Sequence, residues 1–91
     1  MQIRTFATLR DLLGTSHIAL TLERPTTVGQ VLQRLAADYP MLEGKLWDAE
    51  HHLTGYVAVL LNGRSIEFLS GLDTPVGDDD ALSLFPPVGG G

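Results

Sequence analysis

Cysteine is absent from this sequence of 91 residues. Its absence excludes disulfides, thiolate zinc sites and cysteine nucleophiles, and it is compatible with a reducing compartment. Long hydrophobic runs are missing too, since no stretch approaches the roughly 20 apolar residues of a membrane span. Residues 1–10 also lack the apolar core of a signal peptide. We therefore expect a cytoplasmic protein with no membrane partner.

Positive charge is scarce in this chain. Six Lys and Arg residues stand against eleven Asp and Glu residues, which gives a formal net charge of −5. Because contacts with phosphates need a basic face, we expect no nucleic-acid partner. From residue 66 onwards there is no Lys or Arg, and the acidic residues there are Glu67, Asp73, Asp78, Asp79 and Asp80. This acidic segment favours either a solubilising surface or steering towards a basic patch on a partner.

The length of the chain fits one small domain with a thin core. A hydrophobic fraction of 44% and a charged fraction of 19% are typical of a globular protein. A domain of this size has little room for a deep cleft with a full catalytic apparatus. We therefore expect a carrier, a binding module or a non-catalytic subunit and not an independent enzyme.

The first half of the sequence predicts two short strands and two helices. Alternation predicts strands over residues 2–7 and 17–23, and Thr8 is a candidate cap for a short helix that Gly14 ends. The clearest helix follows Thr26-Thr27, either of which is a candidate cap, and it stops before Pro40. Its apolar stripe has helical spacing and consists of Val28, Val31, Leu32, Leu35, Ala36 and Tyr39.

The second half predicts three further strands. The β-rich run 56–61 is interpreted as the buried central strand, and Asn62-Gly63 predicts a type I′ hairpin into residues 64–68. A turn-rich crossing and an acidic turn then lead to a last strand over residues 81–85. Trp47 and Tyr56 are predicted to belong to the core or its edge. The order predicts an α+β, ubiquitin-like β-grasp fold, with one main helix across a mixed sheet of about five strands.

The end of the chain, FPPVGGG, carries the clearest functional signal. Pro86 and Pro87 cannot continue a central strand, because proline lacks the ladder N–H, and they hold the chain extended. Val88 adds a small apolar contact, and the glycines after it have no Cβ and fit a narrow tunnel. The alternative is a frayed terminus, but a frayed end needs no stiffening prolines. We predict a β-grasp domain over residues 1–86 and a flexible glycine tail over residues 87–91.

Four segments together resemble the MoaD/ThiS family of ubiquitin-like sulfur carriers, which includes the small subunit of molybdopterin synthase. They are FATLRDLLG, TTVGQVLQRLAADYP, LNGRSI and GLDTPVGDDDALSLFPPVGGG, and they cover nearly the whole chain. The sequence departs from the family pattern in ending with three glycines in place of two. It also has Asp79 where Gly is commoner, which predicts a strained left-handed residue in this turn.

The resemblance implies a chemistry in which the chain is a substrate of other proteins. A partner resembling ubiquitin-activating adenylyltransferases joins the terminal carboxylate to AMP from ATP, and a sulfur donor then leaves a thiocarboxylate. The sulfur passes to a precursor held by a larger sulfur-accepting subunit. The implied reactive residues are Gly91 and Gly90, and the implied partner-binding residues are Phe85, Pro86, Pro87, Val88 and Gly89. No cofactor or metal is expected to bind the chain itself, because ATP is used by the activating partner.

A face of the domain must also contact the partner. Ordering five tail residues costs roughly 5–10 kcal/mol, whereas one buried phenylalanine returns about 1.5–3 kcal/mol. Phe85 is the best candidate anchor, although it could instead cover the sheet edge. Arg10 and Arg64 are candidate rim contacts or solvated side chains. The His51-His52 pair, with Asp48 and Glu50 nearby, is interpreted as a polar loop and not as a metal site.

Three interpretations stay open at this point. The leading one is a sulfur carrier for molybdopterin, hence molybdenum-cofactor, biosynthesis. The sulfur could instead serve cysteine synthesis or tRNA thiolation, or the carboxylate could be joined to protein lysines; Lys45 is the only lysine of this chain. An interpretation from another class is a β-grasp interaction module that is never activated.

Overall fold

The computed structural model describes residues 1–86 of the chain. Its strands are β1 (Gln2–Thr5), β2 (His17–Ala19), β3 (Thr26–Thr27), β4 (Ala58–Leu61), β5 (Arg64–Ser65), β6 (Pro75–Val76) and β7 (Ala81–Phe85). Its α-helices are α1 (Ala7–Leu13), α2 (Val28–Asp38) and α3 (Glu43–Leu46). Short 3₁₀ helices span Pro40–Leu42, Ile66–Phe68 and Gly71–Asp73. None of the helices in this described part is long and apolar enough to cross a membrane.

The main sheet has the strand order β2-β1-β7-β4-β5. Strands β1 and β7 pair in parallel, and the other neighbours are antiparallel. Strands β3 and β6 form a separate antiparallel pair beside it. The predicted α+β class, with a mixed five-stranded sheet and one main helix, is therefore confirmed. The central strand is β7 and not the run 56–61, which forms β4 on its flank.

The core lies between the helices and one face of the sheet. Five of the six residues of the predicted stripe are buried in α2: Val28, Val31, Leu32, Leu35 and Ala36. The sixth, Tyr39, follows the last residue of the helix and is partly buried against the core. The five buried residues join one cluster with Ile3, Leu82 and Leu84 of the sheet, each of which is fully buried. Burial of one such side chain contributes about 1.5–3 kcal/mol, so a modest set of them holds the small domain together.

The two longest helices begin in different ways. Thr27 precedes α2, and its hydroxyl accepts a hydrogen bond from the Gln30 N–H at 3.3 Å, as predicted for a cap. The predicted cap of α1 is wrong, because Thr8 lies inside the helix and the extended residue Phe6 precedes it without a side-chain cap. Gly14, at φ +76°, ends α1 as predicted.

Four predicted strands are shorter in the structure, those over residues 2–7, 17–23, 56–61 and 64–68. The first ends at Thr5, and α1 begins at Ala7. The second strand ends at Ala19, although Leu20 still exchanges backbone hydrogen bonds with Met1, and the Leu22 N–H donates to Asp78 Oδ1 at 2.9 Å. The strand after the hairpin ends at Ser65, whose hydroxyl accepts from the Glu67 N–H and begins a 3₁₀ helix. The hairpin itself is confirmed, since Asn62 and Gly63 have φ of +52° and +85°.

The two aromatic residues expected near the core have different environments. Trp47 is 7% exposed and belongs to the core, as predicted. Tyr56 is 61% exposed, so its prediction is wrong. The strand begins only at Ala58, but burial already alternates from Tyr56 onwards. Val57, Val59 and Leu61 are buried, so Tyr56 belongs to the opposite, outer side of this run.

Candidate functional site

The site is built on the end of β7, where the chain leaves the sheet. β7 is held on both sides, with Leu84 opposite Thr5 of β1 and Phe85 opposite Ala58 of β4. Pro86 follows directly and is the last described residue. The other predicted tail residues lie outside the described residues, and they are Pro87, Val88, Gly89, Gly90 and Gly91. The described part thus provides a firmly paired base for the tail.

Phe85 lies on the face of the sheet opposite the core. Its neighbours Leu82 and Leu84 are fully buried, whereas Phe85 is half-buried, as the alternation predicts. Its ring stacks on that of Phe6, with 4.2 Å between the ring centroids and 4° between the planes. The guanidinium of Arg4 lies 6.0 Å from the Phe6 ring centroid. An aromatic pair with a cation beside it therefore marks the surface at the base of the tail.

Sequence reasoning missed Phe6 and Arg4 as members of this surface. Phe6 follows the last residue of β1, and its N–H donates to the Leu84 carbonyl at 3.2 Å. Only the parallel pairing of β1 with β7 brings the two phenylalanines together. The signal available in the sequence was that Phe6 lies one residue before the end of a predicted strand and Phe85 ends another. The local pattern does not show with which strand each of them pairs.

The two arginines predicted as rim contacts lie in different places. Arg10 is exposed on α1, and its Nε lies 3.7 Å from Asp11 Oδ1. Arg64 is exposed on β5, the strand at one edge of the main sheet. Both side chains are exposed to solvent, so a partner can reach each of them at the rim of an interface. Their role in binding stays a prediction.

Two residues of the acidic segment work within the protein. Asp78 Oδ1 accepts from the Leu22 N–H and from the Met1 ammonium, each at 2.9 Å, and these bonds lower the pKa of its carboxyl. The Asn62 side chain at 3.0 Å and the Gly77 N–H at 2.8 Å lower the pKa of Asp80. These carboxylates fasten the turn before β7 to its surroundings.

The remaining prediction for this turn concerns Asp79. Its φ is not positive, so the strained left-handed conformation expected there is wrong. The acidic residues left for solubility or for steering of a partner are Glu67, Asp73 and Asp79. The acidic segment is thus part structural support and part exposed charge.

The histidine loop is organised by Asp48. Its Oδ1 accepts from the His52 N–H at 2.9 Å and from the Glu50 N–H at 2.8 Å, and these two bonds lower the pKa of its carboxyl. His52 Nδ1 lies 3.7 Å from Glu50 Oε2. Within residues 1–86, no group of three or more His, Cys, Asp or Glu side chains is arranged to hold a metal ion. The carboxylate of Asp48 shapes this loop through backbone hydrogen bonds.

A shallow groove of about 270 Å³ lies next to the point where the chain leaves β7. Its described lining consists of Thr8, Leu9, Leu12, Lys45, Tyr56 and Pro86. Residues from α1, α3 and the chain before β4 therefore meet beside the base of the tail. No local pattern predicted this juxtaposition.

Comparison with known proteins gives the family. The family model described as the ThiS family matches residues 3–91. The chain belongs to the ThiS family. Small archaeal modifier protein 3 of Haloferax volcanii is 41% identical over 91 residues, covering 100% of this chain and 98% of the relative. Sulfur carrier protein CysO of Mycobacterium tuberculosis is 31% identical over 67 residues, covering 71% of this chain and 72% of the relative.

Solved structures agree with this assignment. The crystal structure of small archaeal modifier protein 1 from Haloferax volcanii superposes with a TM-score of 0.84 at 31% identity, covering 100% of this chain and 98% of that chain. The predicted resemblance to MoaD/ThiS sulfur carriers is therefore confirmed. This ThiS-family protein is a small ubiquitin-like chain of the sulfur-carrier and modifier type, and its named relatives are carriers and modifiers.

Proposed function

We propose that this ThiS-family protein is a sulfur carrier whose reactive group is the carboxylate of Gly91. One observation supports this most directly: the chain leaves the domain from β7, the central strand, beside the stacked rings of Phe6 and Phe85. A strand paired on both sides resists displacement, so a partner can hold the tail beyond this strand without unfolding the domain. The proposed division of roles leaves the chemistry to partner proteins.

The proposed reaction has three steps. An adenylyltransferase partner joins the Gly91 carboxylate to the α-phosphorus of ATP, and pyrophosphate leaves. A sulfur donor attacks the acyl carbon, AMP leaves, and the product is a thiocarboxylate on Gly91. The thiocarboxylate then transfers its sulfur to an acceptor molecule held by a second partner. Activation is necessary because a free carboxylate has no good leaving group.

The proposal is tested by intact mass. The purified protein is incubated with ATP and the adenylyltransferase of the same organism, and sulfide is then added. We expect a mass increase equal to the replacement of one oxygen by sulfur, located on Gly91 by fragmentation. A variant without Gly90 and Gly91 is the control. It should remain folded, and its mass should not change during the same incubation. An unchanged mass of the intact protein, with an enzyme active on another carrier, would overturn the proposal.

The acceptor is a separate part of the proposal. We place it in molybdopterin biosynthesis, with the larger subunit of a molybdopterin synthase as the second partner. The test offers the purified thiocarboxylate to that subunit with its precursor, to a cysteine-forming system and to tRNA in parallel. Sulfur transfer to the molybdopterin precursor alone supports the assignment. Transfer to the cysteine-forming system or to tRNA would assign the sulfur to that acceptor instead, and it would leave the proposed carrier chemistry unaffected.

A second candidate function uses the same activated carboxylate. The names of the Haloferax volcanii relatives, small archaeal modifier proteins, favour attachment of Gly91 to lysines of other proteins. In that reaction a lysine amine attacks the acyl-adenylate, an isopeptide bond forms and AMP leaves. Mass spectrometry of tagged protein recovered from cells distinguishes the two. Peptides in which Gly91 is joined to a lysine side chain support conjugation, and their absence beside abundant thiocarboxylate supports sulfur transfer.

A further inference from the structure

We infer that the groove beside Pro86 is a second docking point for the protein that takes the tail, and that it receives an apolar side chain flanked by a carboxylate. The inference rests on the proposed function, because it names a contact of the adenylyltransferase partner that activates Gly91. It adds a surface separate from the Phe6–Phe85 pair and from the tail itself. The groove is lined by Thr8, Leu9, Leu12, Lys45, Tyr56 and Pro86.

The first argument is position. Pro86 lines the groove and is also the residue from which the predicted tail begins. The five residues after it span at most roughly 17 Å when fully extended, so a protein that holds Gly91 must come within that distance of Pro86. Its surface therefore lies over, or close to, the groove. Because the bound tail already holds the partner near Pro86, contact with the adjoining groove restricts the relative motion of the two proteins only a little further.

The second argument is chemistry. Tyr56 and Leu12 are 61% and 40% exposed, so two large apolar side chains that line the same groove are open to solvent. Tyrosine is enriched among the residues that dominate binding energy at protein interfaces. Tyr56 contributes little to the fold, because it lies outside the core and its backbone N–H, not its ring, donates to Thr54 Oγ1. These features suit a surface that buries apolar area against a partner.

The third argument is charge. The protein has a net charge of −5, yet none of the described lining residues of this groove is acidic, and the only lysine of the sequence lies there. Lys45 is exposed and forms no ion pair with the carboxylates of residues 1–86. A partner carboxylate placed over the groove would gain a charge-assisted contact without competing with an internal one.

The test measures steady-state adenylation by the enzyme of the same organism at varied carrier concentration. We expect Lys45→Glu and Tyr56→Ala each to raise KM for the carrier on the order of tenfold with little change in kcat. Lys45→Arg keeps the positive charge, so its KM should stay close to the wild-type KM. The matched controls are Arg34→Glu, in a different groove, and Phe68→Ala, an aromatic residue that is 81% exposed. Both controls should leave KM unchanged.

Unchanged KM for both Lys45→Glu and Tyr56→Ala, with the wild type adenylated, would overturn the inference and leave the proposed function standing. A wild-type chain that binds the enzyme through this groove but is never adenylated would overturn the proposed function and leave the inference standing. Two other occupants are tested on the free protein. If the protein forms a dimer that Tyr56→Ala dissociates, the groove holds a second copy and the inference is overturned. If the Tyr56 ring resonances change when Gly90 and Gly91 are deleted, the groove holds the chain's own tail and the inference is likewise overturned.

Discussion

The stack between Phe6 and Phe85 can be tested as a measurable coupling. Each ring is half-buried, and the two lie parallel at 4.2 Å on the outer face of the sheet. Replacing Phe85 with alanine removes the stack and about half of a phenylalanine burial. At about 0.5–1.5 kcal/mol for an aromatic pair and about 1.5–3 kcal/mol for full burial, the loss is roughly 1–3 kcal/mol.

The neighbouring residue on β7 provides the contrast. Leu84 is fully buried, and its replacement by alanine should cost about 3–5 kcal/mol, because a cavity is added to the lost burial. Of a total stability of about 5–15 kcal/mol, that is a large fraction. The two substitutions should also differ in function. Phe85→Ala should raise KM for the activating partner, whereas Leu84→Ala should act through stability alone.

The assay is urea denaturation of the wild type, Phe6→Ala, Phe85→Ala and the double variant, followed by circular dichroism. The double-mutant cycle should give a coupling of about 0.5–1.5 kcal/mol between the two rings. A coupling near zero would refute the stacked arrangement. If Phe85→Ala destabilised the protein as much as Leu84→Ala, the assignment of Phe85 to the outer, partner-facing surface would be refuted as well.

Three further predictions concern stability. Ala7 has a φ of +53°, a conformation that glycine adopts more easily, so Ala7→Gly should raise the free energy of unfolding by up to about 1 kcal/mol. A lower free energy of unfolding for this variant in chemical denaturation would contradict strain at this position. Gly44→Ala should stabilise α3 by about 0.5–1 kcal/mol, because alanine has the higher helix propensity and nothing lies within 4 Å of the added Cβ. Gly29→Ala should gain less, because its Cβ would lie 3.2 Å from Leu72; equal gains in thermal melting would refute the close approach. Asp78 and Asp80 have pKa values below the ordinary 3.8, so their contribution to stability is present above that pH and falls as the pH drops through the folded values. Urea midpoints at pH 6 and pH 3 should therefore differ less in Asp80→Asn than in the wild type, and an equal difference would exclude this role.

Much of the site could be predicted from the sequence because its signals are local. The alternation in β7 places Phe85 opposite Leu82 and Leu84 in any sheet that buries one face. Pro86 follows the last residue of the strand, and its missing N–H group ends the ladder whatever surrounds it. What could not be predicted is the surface around the base of the tail. Tyr56 was assigned to the core or its edge because the run 56–61 was interpreted as a buried central strand, whereas in the structure it flanks the centre and buries only Val57, Val59 and Leu61.

Elements whose cause lies within a few residues could be predicted from local signals. The apolar stripe of α2, the Asn62-Gly63 hairpin and the last strand all follow from short-range periodicity and backbone preference. Which strands pair depends on contacts between distant parts of the chain and was visible only in the folded protein. The parallel contact of β1 with β7 joins opposite ends of the chain, stacks Phe6 on Phe85, and leaves Lys45 and Tyr56 beside Pro86. Such contacts depend on closing long loops around a shared core, and no local pattern encodes the partner that each strand will find.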